Sequence, residues 1–153
     1  KVKSRALSRN LKDCQEVIRF AATLGAGVDL LLRRYSRLSM SRAVVLQACA
    51  AARIESYCNE INDKLKAEAA EEGLYLRPRF SPGYGDLPLS CQRIFAGYWK
   101  RKRRWGLHLT ESFLMMPSKS VTAVIGVSKI AAGCVKEGCE VCSNKNCLYR
   151  RDK

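Results

Sequence analysis

Four of the chain's eight cysteines lie close together near its C-terminal end, at a spacing that suits a metal ion or a metal cluster. They are Cys134, Cys139, Cys142 and Cys147, which follow the pattern C-x4-C-x2-C-x4-C. Thiolates bind zinc and iron–sulfur clusters, and the glycine, serine and asparagine between them favour a loop that wraps around one centre. The spacing therefore predicts a metal site in residues 131–153, which we expect to form a Cys-rich C-terminal loop.

The identity of this metal stays open. Zinc sites usually combine two cysteine pairs that lie a dozen or more residues apart. Here only Cys139 and Cys142 form a CxxC pair, and the flanking cysteines follow closely, which is more typical of iron–sulfur ligation. An iron–sulfur cluster, zinc, and free or oxidised thiols all fit the pattern. A metal-cluster protein with an electron-transfer or regulatory role is accordingly one candidate function.

A second stretch with chemical potential is the turn at residues 79–86, which reads RFSPGYGD. Arg79 can hold a carboxylate through two parallel hydrogen bonds, which a lysine cannot reproduce. Tyr84 offers an aromatic face to a flat ring or to a cation, and Gly83 lets the backbone approach a ligand closely. The same composition is also common in ordinary turns. The residues alone leave both a ligand clamp and a structural turn open.

A long helix is predicted before this turn, from a cap at Ser39 or Ser41 to about residue 70, and Gly73 ends it. At about 100° per residue, Glu55 falls inside the apolar stripe of this helix. A buried carboxylate requires a cationic or hydrogen-bonding partner. We therefore expect Glu55 to meet either an arginine of the chain or a bound ligand. The stripe comprises Val44, Ala48, Ala51, Ile54, Cys58, Ile61 and Leu65.

The remaining patterns predict an α+β fold. Two further helices are expected over residues 10–24 and 28–38, and Asp86 is expected to cap a helix over residues 87–98. Alternating apolar and basic residues predict a strand over 74–80. Helices first and strands later indicate N-terminal helices packed on a twisted, largely antiparallel sheet. Further short strands are predicted at 107–109, 113–116 and 121–127.

The strings RFSPGYGDLPL and LTESFLMMPSKSVTAVIGV, in this order, resemble the S-adenosylmethionine-binding activation domain of cobalamin-dependent methionine synthase, in its short stand-alone form. The family signature RxxxGY matches Arg79, Gly83 and Tyr84. The resemblance covers about residues 11–128, and we assign residues 1–130 to an activation-like domain. It implies that these three residues belong to the S-adenosylmethionine site and that a family glutamate falls at Glu55.

The resemblance also implies an accessory role without catalysis by this chain. Such a domain binds S-adenosylmethionine and docks over a cobalamin that a partner methyltransferase holds and that has become oxidised. An electron from an acidic flavodoxin-like donor and methyl transfer from S-adenosylmethionine then restore methylcobalamin. The partners implied are thus a corrinoid protein and an acidic electron donor.

The net charge of +14 predicts an acidic partner on independent grounds. Residues 98–106 read YWKRKRRWG, with five consecutive cations between two tryptophans. Cations beside aromatic residues can bind phosphates and stack on bases, although no nucleic-acid motif surrounds them. Docking of an acidic protein and a solvated loop are the other interpretations of this run, and we expect nucleic acid not to be the partner.

Two absences narrow the function further. No stretch approaches the ~20 apolar residues of a membrane-spanning helix, and no leader pattern is apparent, so a cytoplasmic location is expected. His108 is the single histidine, which disfavours a histidine-dependent triad or a zinc hydrolase.

Overall fold

The computed structural model describes residues 3–99 and 106–131, which form a mixed helix and sheet fold. The predicted α+β class is confirmed. The helices are α1 (Arg5–Asn10), α2 (Ala26–Leu38), α3 (Met40–Glu71) and α4 (Gln92–Trp99), and a short 3-10 turn, Leu89–Cys91, precedes α4. The strands are β1 (Glu16–Thr23), β2 (Tyr75–Leu76), β3 (His108–Leu109), β4 (Met115–Met116) and β5 (Ser120–Ser128).

The central sheet has the order β1-β5-β2 and is antiparallel, as predicted. Strand β5 lies in the middle and pairs along its length with β1, from Glu16 opposite Val127 to Thr23 opposite Ser120. Its inner positions Ala123 and Ile125 are fully buried. Strands β3 and β4 form a separate antiparallel hairpin, so the short strands predicted in this region are present.

The helix predicted over residues 10–24 is wrong. Helix α1 ends at Asn10, and Glu16–Thr23 is strand β1. Phe20 and Ala22 are buried while Val17 is exposed, which is the two-residue period of a strand with one face in the core. The same residues also fit a helical spacing. The eight pairs with β5 decide the conformation, because tertiary pairing outweighs a weak local pattern.

Helix α3 agrees with the predicted bounds, but only the second half of its predicted apolar stripe packs in the core. Ile54 and Cys58 are buried against the sheet, and Ile61 and Leu65 pack at the edge of that core. In the first turns, Ala43 is buried instead of its neighbour, since Val44 is 62% exposed. This part of α3 lies beside α2, and Tyr35 of α2 and Val45 of α3 line one groove there.

Asp86 also differs from its predicted role. It accepts hydrogen bonds from the backbone N–H of Arg5 at 2.6 Å and of Ala6 at 3.2 Å, and from the Ser4 hydroxyl at 2.5 Å. The carboxylate therefore caps α1, which lies about eighty residues earlier in the chain. Pro88 disfavours helical geometry at the preceding residue, and α4 begins only at Gln92.

Candidate ligand cavity

A cavity of about 340 Å³ lies where α3, the turn at residues 79–86, the start of α4 and strand β5 meet. Its volume falls within the range of small-molecule sites, roughly 300–1,000 Å³. Three of the four residues predicted to bind a cofactor line it: Glu55, Arg79 and Tyr84. The fold thus brings together side chains from a helix and a turn that lie more than twenty residues apart in the sequence.

Arg79 lies at the inner side of this cavity, and its side chain is 14% exposed. Its Nη2 donates a hydrogen bond to Oδ1 of Asn59 at 2.7 Å. The guanidinium carbon lies 5.8 Å from the centroid of the Phe20 ring, within reach of a cation–π contact. The arginine is therefore held by a helix and a strand and not by its own turn.

The second amino group of Arg79 is unsatisfied. Its Nη1 is buried and has no hydrogen-bond partner among the described residues. A buried donor without a partner costs about 1–3 kcal/mol. A carboxylate that bound both amino groups would satisfy this atom, once the guanidinium turned toward the cavity. The chemistry of a guanidinium with one unsatisfied amino group therefore suits an anionic partner.

Glu55 differs from its prediction in burial. It is not part of the buried stripe: its side chain is 62% exposed at the cavity rim. Its Oε2 lies 3.7 Å from Nη2 of Arg79, so it does meet an arginine. An ion pair this open to solvent contributes little to stability. The carboxylate is consequently available to a cationic group of a ligand.

The conformation of the turn accounts for the positions of Gly83 and Tyr84. Gly83 has a φ of +94°, and its N–H donates to the carbonyl of Leu87 at 2.9 Å. A side chain is disfavoured at this φ, so the glycine shapes the turn, whereas the cavity is lined by its neighbour Tyr84. Tyr84 is exposed at the rim, where its ring can cover a ligand.

The buried residue beneath Arg79 is Cys58. Burial raises the pKa of the Cys58 thiol, and the nearby Arg79 guanidinium partly opposes this shift. A neutral thiol is a small apolar group. Cys58 therefore forms part of the floor that supports the arginine.

The sequence patterns missed three polar residues of this region: Asn59, Gln92 and Thr122. Asn59 follows Glu55 by four residues on the same face of α3, so helical spacing from Glu55 could have identified it. Gln92 and Thr122 both line the cavity, and the Thr122 hydroxyl donates to Oε1 of Gln92 at 2.8 Å. No local signal joins these two, because they meet only when α4 packs on β5.

A second depression, of about 420 Å³, lies between α4 and the β3–β4 hairpin. Its arginine, Arg93, already stacks on Phe113 with 4.7 Å between the guanidinium carbon and the ring centroid. His108 also lines this depression and lies apart from the residues predicted to bind a cofactor. We therefore take the cavity at Arg79 as the candidate site.

The four cysteines predicted to bind a metal, Cys134, Cys139, Cys142 and Cys147, lie outside the described residues, as does most of the basic run. Within residues 3–99 and 106–131, no group of three or more metal-ligating side chains lies together. No helix in the described part of the chain is long and apolar enough to cross a membrane. No model of a known protein family matches this chain, and neither does any curated protein sequence.

Proposed function

We propose that this chain is an S-adenosylmethionine-binding accessory domain that supports the reductive reactivation of a corrinoid-dependent methyltransferase such as methionine synthase. The observation that carries the proposal is the meeting of Arg79, Glu55 and Tyr84 at one cavity of about 340 Å³. The resemblance of the turn and of the β4–β5 region to the activation domain supports the same ligand.

The chemistry of each residue matches one part of this ligand. The carboxylate of the amino-acid end suits Arg79, whose second amino group lacks a partner in the described part of the chain. The ammonium suits the exposed carboxylate of Glu55 beside it. The ring of Tyr84 suits the sulfonium or the adenine. In this proposal the chain binds and orients the methyl donor, and methyl transfer takes place on the cobalamin of the partner.

The positive charge of the chain supports acidic partners. A net charge of +14 accelerates the encounter with an acidic flavodoxin-like donor through electrostatic steering. Between residues 30 and 54 the chain carries five arginines and no acidic residue. Steering of this kind weakens as salt is added, because the Debye length shortens.

Calorimetric titration with S-adenosylmethionine tests the proposal. We expect Arg79→Lys to weaken binding by about 10- to 100-fold, because lysine lacks the second, parallel hydrogen bond to the carboxylate. The matched control is Arg93→Lys, which alters an arginine already stacked on Phe113 in the other depression, and should bind normally. Absence of binding in the unmodified chain defeats the proposed function. Equal binding in the unmodified chain and the Arg79 variant defeats the assignment of the carboxylate.

A second candidate function rests on the cysteine spacing. In that hypothesis the chain is an iron–sulfur or zinc protein with an electron-transfer or regulatory role on the same fold, and the ligand cavity is vestigial. The two candidates differ in one measurable property, since only the first requires S-adenosylmethionine to bind.

A further inference from the structure

A buried pair of uncharged polar side chains also lines the candidate cavity. Gln92, the first residue of α4, is 3% exposed, and Thr122 on β5 is 1% exposed. The Thr122 hydroxyl donates to Oε1 of Gln92 at 2.8 Å. Because Thr122 lies within the strand that pairs with both neighbours of the sheet, this hydroxyl holds the glutamine amide in one orientation.

This arrangement leaves the amide nitrogen of Gln92 as a free donor. Its oxygen is occupied by Thr122, whereas Nε2 has no hydrogen-bond partner among the described residues. This nitrogen is also not among the fully buried side-chain atoms that lack a hydrogen-bond partner in the described part of the chain. Since Gln92 lines the cavity, we take its amide nitrogen as the donor available to a ligand there. An amide nitrogen only donates, so the ligand atom opposite it is a hydrogen-bond acceptor.

The apolar part of the cavity lining suits a flat, largely apolar group around this acceptor. Leu89, Met115 and Val121 line the same cavity, and apolar walls favour a ring over a second charged group. A ring nitrogen of a nucleoside base combines both properties, since it accepts a hydrogen bond within an otherwise apolar surface. Gln92 thus suits the base and not the amino-acid end of the ligand.

The position of Gln92 along the sheet agrees with this division. The segment that carries Arg79 is fixed by two backbone hydrogen bonds between Phe80 and Val124, at 2.9 and 2.8 Å. Thr122 precedes Val124 by two residues on β5. At about 3.3 Å per residue, the two anchoring points lie about 7 Å apart along the strand. An extended ligand can therefore reach both at once.

We propose that Gln92, oriented by Thr122, is the residue that recognises the nucleoside ring, while Arg79 and Glu55 hold the amino-acid end. This inference rests on the proposed function, because it assigns the second half of the same ligand. It names a ligand contact that neither the turn nor the family-like strings indicated.

The test uses the full chain and three ligands: S-adenosylmethionine, methylthioadenosine, which lacks the amino-acid end, and methionine. We expect Gln92→Leu to weaken the binding of S-adenosylmethionine and of methylthioadenosine by about tenfold each, because the base loses its hydrogen-bond donor. Methionine binding should not change. Arg79→Lys should weaken the binding of S-adenosylmethionine and leave the binding of methylthioadenosine unchanged. The losses from the two substitutions should add in the double variant, since the residues contact separate parts of the ligand.

Two further variants separate recognition from folding. Gln92→Leu leaves the Thr122 hydroxyl buried without its acceptor, whereas Gln92→Leu combined with Thr122→Val removes both partners and should melt near the unmodified chain. This double variant should keep the tenfold binding loss. Gln92→Glu replaces the donor by an acceptor, so it should bind at least as weakly as Gln92→Leu.

The outcomes of this experiment are distinguishable. If the unmodified chain binds neither S-adenosylmethionine nor methylthioadenosine, the proposed function and this inference both fail. If it binds them and Gln92→Leu binds them within twofold as well, the inference alone fails. Undiminished binding by Gln92→Glu also overturns it, because an acceptor would then face the ligand.

Discussion

The carboxylate of Asp86 caps a helix that lies about eighty residues away from it in the sequence. An aspartate before an apolar, helix-like run is typical of an N-cap, and Asp86 does satisfy helix N–H groups. The helix is α1, however, whose first N–H groups approach from the far end of the chain. The final residue of the RFSPGYGD turn therefore ties the N-terminal helix to the loop that carries Tyr84.

This contact predicts a pH-dependent contribution to stability. Hydrogen bonds, first from the Ser4 hydroxyl and then from the Arg5 N–H, hold the pKa of Asp86 below its usual value. A lowered pKa in the folded state stabilises the fold above the unfolded pKa of about 3.9. That contribution is lost as the pH falls from there through the folded pKa. We expect Asp86→Asn to lower the urea midpoint at pH 7 and to lose this difference at low pH.

The matched control is Asp63→Asn on α3, an exposed residue whose ion pair with Lys66 spans 4.0 Å. It should leave the urea midpoint nearly unchanged at every pH, because such pairs contribute little. A pH-independent effect of Asp86→Asn would contradict the capping role, and so would an equal effect of both substitutions.

The chemical type of a residue in the candidate site can be read from the sequence. Its burial and its neighbours cannot. Arginine, tyrosine and glutamate indicated the ligand chemistry because few side chains bind a carboxylate, an aromatic ring or an ammonium so well. The burial of Glu55 was mistaken, since the helical period fixes which residues share a face but not how deeply that face is covered. Asn59, Gln92 and Thr122 gave no comparable chemical signal.

At the level of elements, β1 is the clearest departure from the sequence pattern. The packing of the segment before β1 can be tested at Gly126 of β5. An added Cβ at Gly126 would lie 2.5 Å from Sγ of Cys14, 2.9 Å from Leu11 and 3.1 Å from Arg77. The segment that leads into β1 therefore passes directly over a residue without a side chain.

We expect Gly126→Ala to destabilise the fold by about 1–3 kcal/mol in urea unfolding, because the backbone or these neighbours must shift. Gly97→Ala on α4 is the control, since an added Cβ there meets no atom of the described residues within 4 Å. It should raise stability by roughly 0.5–1 kcal/mol, as alanine favours a helix over glycine. Equal effects of the two substitutions would show that the segment before β1 does not pack here.

Helix α3 divides into a half that packs on the sheet and a half that does not. Ile54→Ala should cost about 2–5 kcal/mol of unfolding free energy, because it leaves a cavity in the core. Val44→Ala should change stability by less than about 0.5 kcal/mol, since the side chain is 62% exposed. Denaturant titration of both variants measures the difference. A comparable loss at Val44 would restore the stripe as it was predicted from the sequence.

For the molecule as a whole, the strongest untested prediction concerns the cysteine tail. We expect protein purified without oxygen to contain metal bound by Cys134, Cys139, Cys142 and Cys147. A brown chromophore would identify an iron–sulfur cluster and suit an electron-transfer role, whereas colourless protein with zinc would indicate a structural site.

Cys142→Ser should abolish most of the bound metal, because one of four thiolate ligands is lost. Cys49→Ser on α3 is the control, since this exposed cysteine lies outside the cluster. Elemental analysis and visible absorbance of the variants provide the measurement. Metal-free protein, or equal metal content in the two variants, would contradict the site.

The class of fold, the long helix α3 and the short strands could be predicted from the sequence, because they depend on local periodicity. Side-chain chemistry in the sequence also singled out the candidate ligand residues, whose binding stays a prediction. Only the tertiary structure decided that residues 16–23 form a strand, that Asp86 caps α1 and that Thr122 orients Gln92. Each of these depends on partners distant in the sequence. A free N–H, an unpaired strand edge or a buried amide carries no local mark of the group that will satisfy it.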